Sequence, residues 1–314
     1  MKRKLKVLII AKPWHGGLFQ YYFDAFKRIE NVEPYLLFTY PNSLFEYVNY
    51  KINKKNWLDN LTKKINEFKY DLGFFINNFS NFDKLERTNN VLYLTDDAFT
   101  EKSNIDLFKN IYISDIGYAE QFSNNKNYIG ELPFAFDPNI HQSEIIYNKR
   151  KSVQSIANVD TNRNKWFDLM DMNNCFPHIY GNYFYKSYYL LSHPLKIHPS
   201  VNFKKQSVVY SKYLISLNIH ANVIRHGTNM KTFEACGFKV PQIINHTLGL
   251  QNYFEPGKEV MVFSSIDEYK DKLDLLRGDV ELRKKLTTNA LKRAMAEHKY
   301  DDRVKMIVNN FRLS

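Results

Sequence analysis

The sequence predicts an α/β protein of two domains, and three observations carry that prediction. Lys6-Val-Leu-Ile-Ile-Ala11 is a largely continuous apolar run, as a central parallel strand covered on both faces requires. The loop Pro13-Trp-His-Gly-Gly17 and an amphipathic helix from Leu18 to Ile29 follow it, the strand–loop–helix order that opens an α/β domain. The chain has 314 residues, 44% of them apolar, more than one domain of ordinary size needs and enough for two cores.

Further elements follow the same pattern. Glu33 to Phe38 reads as a second strand. Residues 44 to 69 are helical, with Lys51, Lys54, Lys55, Lys63 and Lys64 interleaved among Phe45, Tyr47, Tyr50 and Trp57. That basic-aromatic surface suits an anionic membrane or a chain-like acceptor, or else is a solvated helix pair. Asp71 to Asn77, Val91 to Thr95 and Asn110 to Ser114 are buried strands. Asn77-Asn78 and Asp96-Asp97 close the first two of these, and polar residues at the carboxyl ends of parallel strands line the ligand crevice of an open sheet. Asp96 and Asp97 are therefore candidates for acceptor contact or general base, with capping of the next turn as their alternative role. His15 lies in the first loop, where a lone histidine is ordinarily solvated.

Gln142 to Lys151 is a polar stretch and the candidate linker, after which a new strand starts at Ser152. Asn162 to Met172 reads as a helix. Pro177 to Gly181 and Val208 to Tyr210 read as short strands or edges, and Val240 to Ile244 and Val260 to Phe263 as buried strands. Ile266 to Arg277, Val280 to His298 and Tyr300 to Phe311 are amphipathic helices.

The net charge of +11 points to anionic partners: nucleic acid, an anionic bilayer or phosphorylated substrates. Cys175 and Cys236 lie far apart with neither metal-ligand spacing nor a disulfide framework, as in a reducing cytosol. The basic-then-apolar start is too short for a signal peptide and is cut by Lys12-Pro13, and no stretch approaches the length of a membrane span. Gly16-Gly17 lacks the dinucleotide fingerprint, which argues against NAD. No Asp-x-Asp metal motif occurs, so no metal ligands and no cofactor are expected.

The stretch with most chemistry is His226-Gly-Thr-Asn-Met-Lys-Thr-Phe-Glu-Ala-Cys-Gly237. It reads as a loop that breaks into a short helix, with Thr228 or Asn229 as cap and Gly237 as the stop. Lys231 in the first turn is where the helix dipole would favour an acid, which suggests a bound polyanion such as a diphosphate. Glu234, one turn on, could present a carboxylate to a diol. Diphosphate plus diol is the chemistry of a nucleotide; the alternative is an ordinary solvated Lys–Glu pair. Arg225, just ahead, suits a diphosphate fork, and Asn218 and His220 precede it at a strand end.

This segment resembles the donor-binding region of GT-B glycosyltransferases, and of their CgeB-like (spore maturation protein) group with its group 1 C-terminal domain. Ser152-Val-Gln-Ser-Ile-Ala-Asn158 with Asn162-Arg-Asn resembles that group's entry into its second domain. Leu214-Ile-Ser-Leu-Asn-Ile-His220, Leu248-Gly-Leu-Gln-Asn-Tyr-Phe-Glu-Pro-Gly-Lys-Glu259, Glu297-His-Lys-Tyr-Asp-Asp-Arg303 and Leu132-Pro-Phe-Ala-Phe-Asp-Pro138 resemble further motifs of the group, in order. The resemblance implies two Rossmann-like domains facing across a cleft: an acceptor domain over 1–145, a nucleotide-sugar domain over 150–296, and a terminal helix, 297–314, returning to the first.

It further implies metal-independent transfer of a sugar from a nucleotide-diphosphate donor to a glycan, lipid-linked sugar, protein or other acceptor. The donor would be held by Glu234 at the ribose, by Lys231 and Arg225 at the diphosphate, and by Thr228, Asn229, His226, Asn158 and Arg163 around it. Related retaining families bracket this segment with two Glu residues. Glu234 matches the second, and His226 stands in place of the first, which leaves retention or inversion open. In GT-B enzymes the first loop lies at the cleft, so the resemblance implies that His15 touches the acceptor or the donor sugar and, in an inverting enzyme, serves as base. A cytoplasmic enzyme is implied, with peripheral contact at the inner face of an anionic membrane as an option. Two rival readings remain: a non-catalytic nucleotide-sugar or nucleic-acid binding protein of the same fold (or a DNA-base glycosyltransferase), and a GT-B-shaped epimerase.

Overall fold

In the computed structural model the described residues are 3–14, 16–77, 84–85, 89–95, 105–143, 151–181 and 188–313. The chain forms two compact units, the first of residues 1–133 with 300–314 and the second of residues 134–299.

Unit 1 contains β1 (Leu5–Ala11), α1 (Leu18–Arg28), β2 (Val32–Phe38), α2 (Leu44–Ile52), α3 (Lys54–Glu67), β3 (Leu72–Ile76), β4 (Asn90–Leu94), β5 (Asn110–Ile113) and β6 (Tyr128–Glu131). The strands form one parallel sheet in the order β2-β1-β3-β4-β5-β6. Its central strands are buried along their length, which is why they read as unbroken apolar runs. Leu8, Ile10, Phe75, Leu92 and Ile113 pack with Leu61 and Ile65 of α3 into one core. Gly17 enters α1 at φ 84°, a left-handed conformation open to glycine at no steric cost.

Unit 2 contains β7 (Lys151–Ile156), α4 (Thr161–Met172), β8 (His178–Tyr180), α5 (Tyr188–Ser192), β9 (Ile197–His198), α6 (Gln206–Tyr210), β10 (Tyr213–Asn218), α7 (Met230–Gly237), β11 (Gln242–Asn245), β12 (Met261–Phe263), α8 (Ile266–Gly278) and α9 (Val280–Glu297). Its sheet is also parallel and six-stranded, in the order β12-β11-β10-β7-β8-β9. Strand order reverses between β7 and β10, and the carboxyl ends at such a reversal are where open α/β sheets receive ligands.

The last helix, α10 (Tyr300–Leu313), belongs to unit 1. Tyr300 packs against Tyr21 and Tyr22 of α1, with ring centroids 5.4 and 5.1 Å apart. Arg28 pairs with Asp301 at 2.7 Å, and the Arg303 guanidinium donates to the Pro133 carbonyl at 2.9 Å.

One expectation needs correction, and another holds for a different physical reason. Residues 208–210 are not a strand but the end of α6. Gln206, Val209 and Tyr210 are buried at i, i+3 and i+4, so one buried helical stripe overrides the strand preference of two valines. Helix α7 does end at Gly237, as expected, but the glycine is not its left-handed residue. The positive φ, 55°, falls on Lys239. Gly237 is instead a close approach, since a Cβ there would lie 2.6 Å from the His141 carbonyl oxygen and 2.7 Å from the Phe136 ring.

Candidate functional site

The carboxyl ends of β10 and β11 and the start of α4 surround a cavity of about 300 Å³. Its walls include Asn162, His220, Asn222 and Arg225, and Asn245 to Leu248. No lining residue is an acid, whereas Arg225 and His246 are exposed at it. The one formal charge on the wall is therefore positive, which attracts anions.

Behind it stands a buried hydrogen-bond network centred on His220. The His220 backbone N–H and Nδ1 both meet Asn245 Oδ1, at 2.7 and 2.9 Å. The backbone N–H can only donate, so this atom of Asn245 is its carbonyl oxygen, and Nδ1 must carry the ring proton. In the neutral ring Nε2 then accepts, and its partner at 2.8 Å is the Thr228 hydroxyl. Thr228 in turn accepts from Thr232, which accepts from the Asn218 amide at 2.8 Å. Asn218 and Asn229 exchange a reciprocal amide pair at 2.9 Å. On the other side, the Asn162 amide donates to the His220 carbonyl at 2.9 Å. One residue therefore orients two cavity amides: Asn245 keeps its NH₂ and Asn162 keeps its carbonyl for a ligand.

Local sequence explains the α7 start. Asn229, in extended conformation, caps the helix by accepting from the Lys231 backbone N–H at 3.0 Å. Thr247 Oγ1 donates to the Gly227 carbonyl at 2.9 Å, tying the two cavity loops together.

Of the residues singled out from sequence, Arg225 lines the cavity, and Thr228 and Asn229 belong to the network behind it. His226 is exposed beside Arg225. Arg163 is half-buried and bridges the strand reversal: it donates to the carbonyls of Ile219 at 2.7 Å and Asn158 at 2.9 Å, and Asn158 itself is exposed. Glu234 and Lys231 do not line the cavity. The Glu234 carboxylate is 0% exposed, accepts from Lys231 Nζ and lies 3.8 Å from His141 Nε2. His15, Asp96 and Asp97 lie outside the described residues. Asn245, His246 and Thr247 were not singled out, because a polar strand end followed by a short loop carries no motif. Among the described residues, no cluster of three or more His, Cys, Asp or Glu is arranged for a metal ion.

His141 accepts the Asp137 backbone N–H at Nδ1, 2.8 Å away, so its proton sits on Nε2. Burial, aided by the nearby Lys231 charge, pushes its pKa down to about 3 from 6.5. The unfolded chain takes up this proton near pH 6.5 and the native protein near 3. Unit 2 should therefore lose stability as pH falls below about 6.5. Melting curves between pH 6.5 and about 5, above the carboxylate range, are expected to slope less for His141→Gln than for the parent.

Two parallel six-stranded Rossmann-like sheets, with the terminal helix returned to the first unit, are the architecture of the GT-B fold. Residues 163–309 match the model of the glycosyl transferase-like family. No curated protein matches by sequence. Solved structures are similar along the whole chain. A glycosyltransferase from Rickettsia africae has 11% identity and a TM-score of 0.68, with 98% of each chain covered. The Anabaena HepE protein, solved with UDP and glucose, has 8% identity and a TM-score of 0.67, with 99% of this chain and 100% of that chain covered. An alpha-glucosyltransferase solved with UDP and a 13-mer DNA containing an HMU base has 9% identity and a TM-score of 0.72, with 98% and 99% covered. At such identities the likeness is one of fold.

Proposed function

We propose that unit 2 binds a uridine diphosphate sugar in the β10–β11 cavity and that the enzyme transfers the sugar to a glycan or lipid-linked acceptor at an anionic membrane face. The observation that carries this is the acid-free cavity at the strand reversal, with Arg225 at its wall and two amides oriented by His220. Arg225 would take the diphosphate, and the Asn245 and Asn162 amides a neutral group carrying both acceptor and donor, such as a base. The structures solved with UDP or UDP-glucose support uridine as the base. Lys231 lies in the first turn of α7, and we propose that Glu234 acts on the donor through it, by holding its ammonium in place. Cations of the chain, rather than a metal ion, would stabilise the leaving diphosphate.

A thermal-shift comparison of UDP, GDP, CMP, ADP and dTDP sugars tests this. UDP sugars alone are expected to stabilise the protein, by about 2.7 kcal/mol at a hundredfold excess over Kd. No shift with any nucleotide would leave a GT-B-shaped protein with another ligand. Transfer is expected to survive a metal chelator, and its complete loss would overturn the metal-free reading.

A nucleic-acid acceptor is the second reading, favoured by the +11 charge and the fold shared with a DNA-bound alpha-glucosyltransferase. Labelled sugar appearing in duplex DNA, and not in glycan or lipid, would decide for it.

A further inference from the structure

Helix α2 is built inside out. None of its nine residues is buried. At about 100° per residue, Leu44, Val48, Ile52 and Phe45 fall on one arc of about 100°, and that arc faces solvent. Their exposures are 81%, 49%, 79% and 83%. The opposite side carries Glu46 and Tyr50, and Tyr50 packs against Tyr40 and Trp57, with centroids 5.1 and 6.1 Å away. A surface helix ordinarily turns its apolar stripe inward. Here the aromatic-polar side holds the helix to unit 1 and the aliphatic side is presented.

The charges around this arc identify its occupant. Lys51 flanks it, its ammonium 5.4 Å from the Tyr47 ring centroid, and Lys54 and Lys55 stand exposed at the start of α3. The only acid of α2 is Glu46, which accepts from the Asn42 backbone N–H at 2.9 Å. Protein interfaces are depleted of lysine. An apolar arc edged by lysines is instead the pattern of a helix lying in a bilayer interface, with aliphatic groups among the acyl chains and ammonium groups at anionic headgroups.

We propose that α2, with the first turn of α3, is the surface by which this protein docks on an anionic phospholipid bilayer. This deepens the membrane-facing acceptor reading above and rests on it. Its test is vesicle binding, which does not depend on donor binding or turnover.

The full-length protein is sedimented with vesicles of phosphatidylcholine mixed with phosphatidylglycerol, and with phosphatidylcholine alone. It is expected to bind the anionic vesicles, to be released by salt, and to bind the neutral vesicles far less. Phe45→Ser with Ile52→Ser should lower partitioning at least tenfold. Lys51→Glu, Lys54→Glu and Lys55→Glu together should lower it roughly a hundredfold, at about fivefold per lysine lost. All five positions are exposed, so melting temperature and UDP-dependent stabilisation should be unchanged. Absence of binding to anionic vesicles would overturn the proposal, as would binding that the Phe45/Ile52 variant retains in full. A parent protein that is dimeric in solution, and monomeric as the Phe45/Ile52 variant, would also overturn it by assigning the arc to a second copy.

Discussion

Replacing Glu234 with alanine is expected to destabilise unit 2 by about 3 kcal/mol, a fall in melting temperature of about 6–12 °C. The carboxylate is fully buried, accepts from Lys231 and faces the neutral His141. Its removal leaves a lysine that is itself mostly buried without its anion, and opens a void against the 137–141 turn. Glu234→Gln keeps the shape and an acceptor and should recover part of the loss. The two variants separate two roles for this residue. A carboxylate that holds Lys231 costs stability first and donor affinity second. A carboxylate turned to the ribose, as the family resemblance implies, would cost affinity with little change in melting temperature. A stable Glu234→Ala protein that no longer responds to UDP would overturn the positioning role.

The second large effect is expected at Arg225. Arg225→Ala should raise the Kd for UDP by about 10–100-fold, the weight of a charge-assisted hydrogen bond to a diphosphate. Melting temperature without ligand should hardly move, because the side chain is exposed. Calorimetric titration of both proteins measures this. An unchanged Kd would mean that the diphosphate lies elsewhere than the β10–β11 cavity.

The fold was largely legible because parallel strands covered on both faces must be apolar throughout. Val7 to Ala11, Leu72 to Ile76 and Val91 to Leu94 are such runs. The two strands that escaped notice lack that property. Tyr128–Glu131 is an edge strand with no fully buried residue and a glycine at φ 142°, and Ile197–His198 has only two residues. Valines 208 and 209 misled by local preference, while the stripe from Gln206 decided the outcome. The site was legible only in part. Arg225, Thr228 and Asn229 stood out because they adjoin a recognisable helix start. Asn245 and His246 could not, since what places them is the register between β10 and β11. The meaning of Glu234 was hidden for a related reason: whether a carboxylate faces a ligand or a buried lysine depends on the packing of the 137–141 turn over α7.

The return of α10 to unit 1 has a consequence for biosynthesis. The sheet of unit 1 is complete once the ribosome has passed Glu131, yet Tyr21 and Tyr22 await Tyr300 for their outer cover. At bacterial and eukaryotic elongation speeds that wait is on the order of ten to forty seconds. Unit 1 therefore starts before unit 2 and is finished after it, with the whole of unit 2 translated in between. A stop codon after Lys299 should yield a folded unit 2 attached to an unfinished unit 1, and cutting the gene at Pro133 would not isolate a stable amino-terminal domain. Nascent chains of this protein should accordingly be clients of ribosome-associated chaperones until α10 emerges.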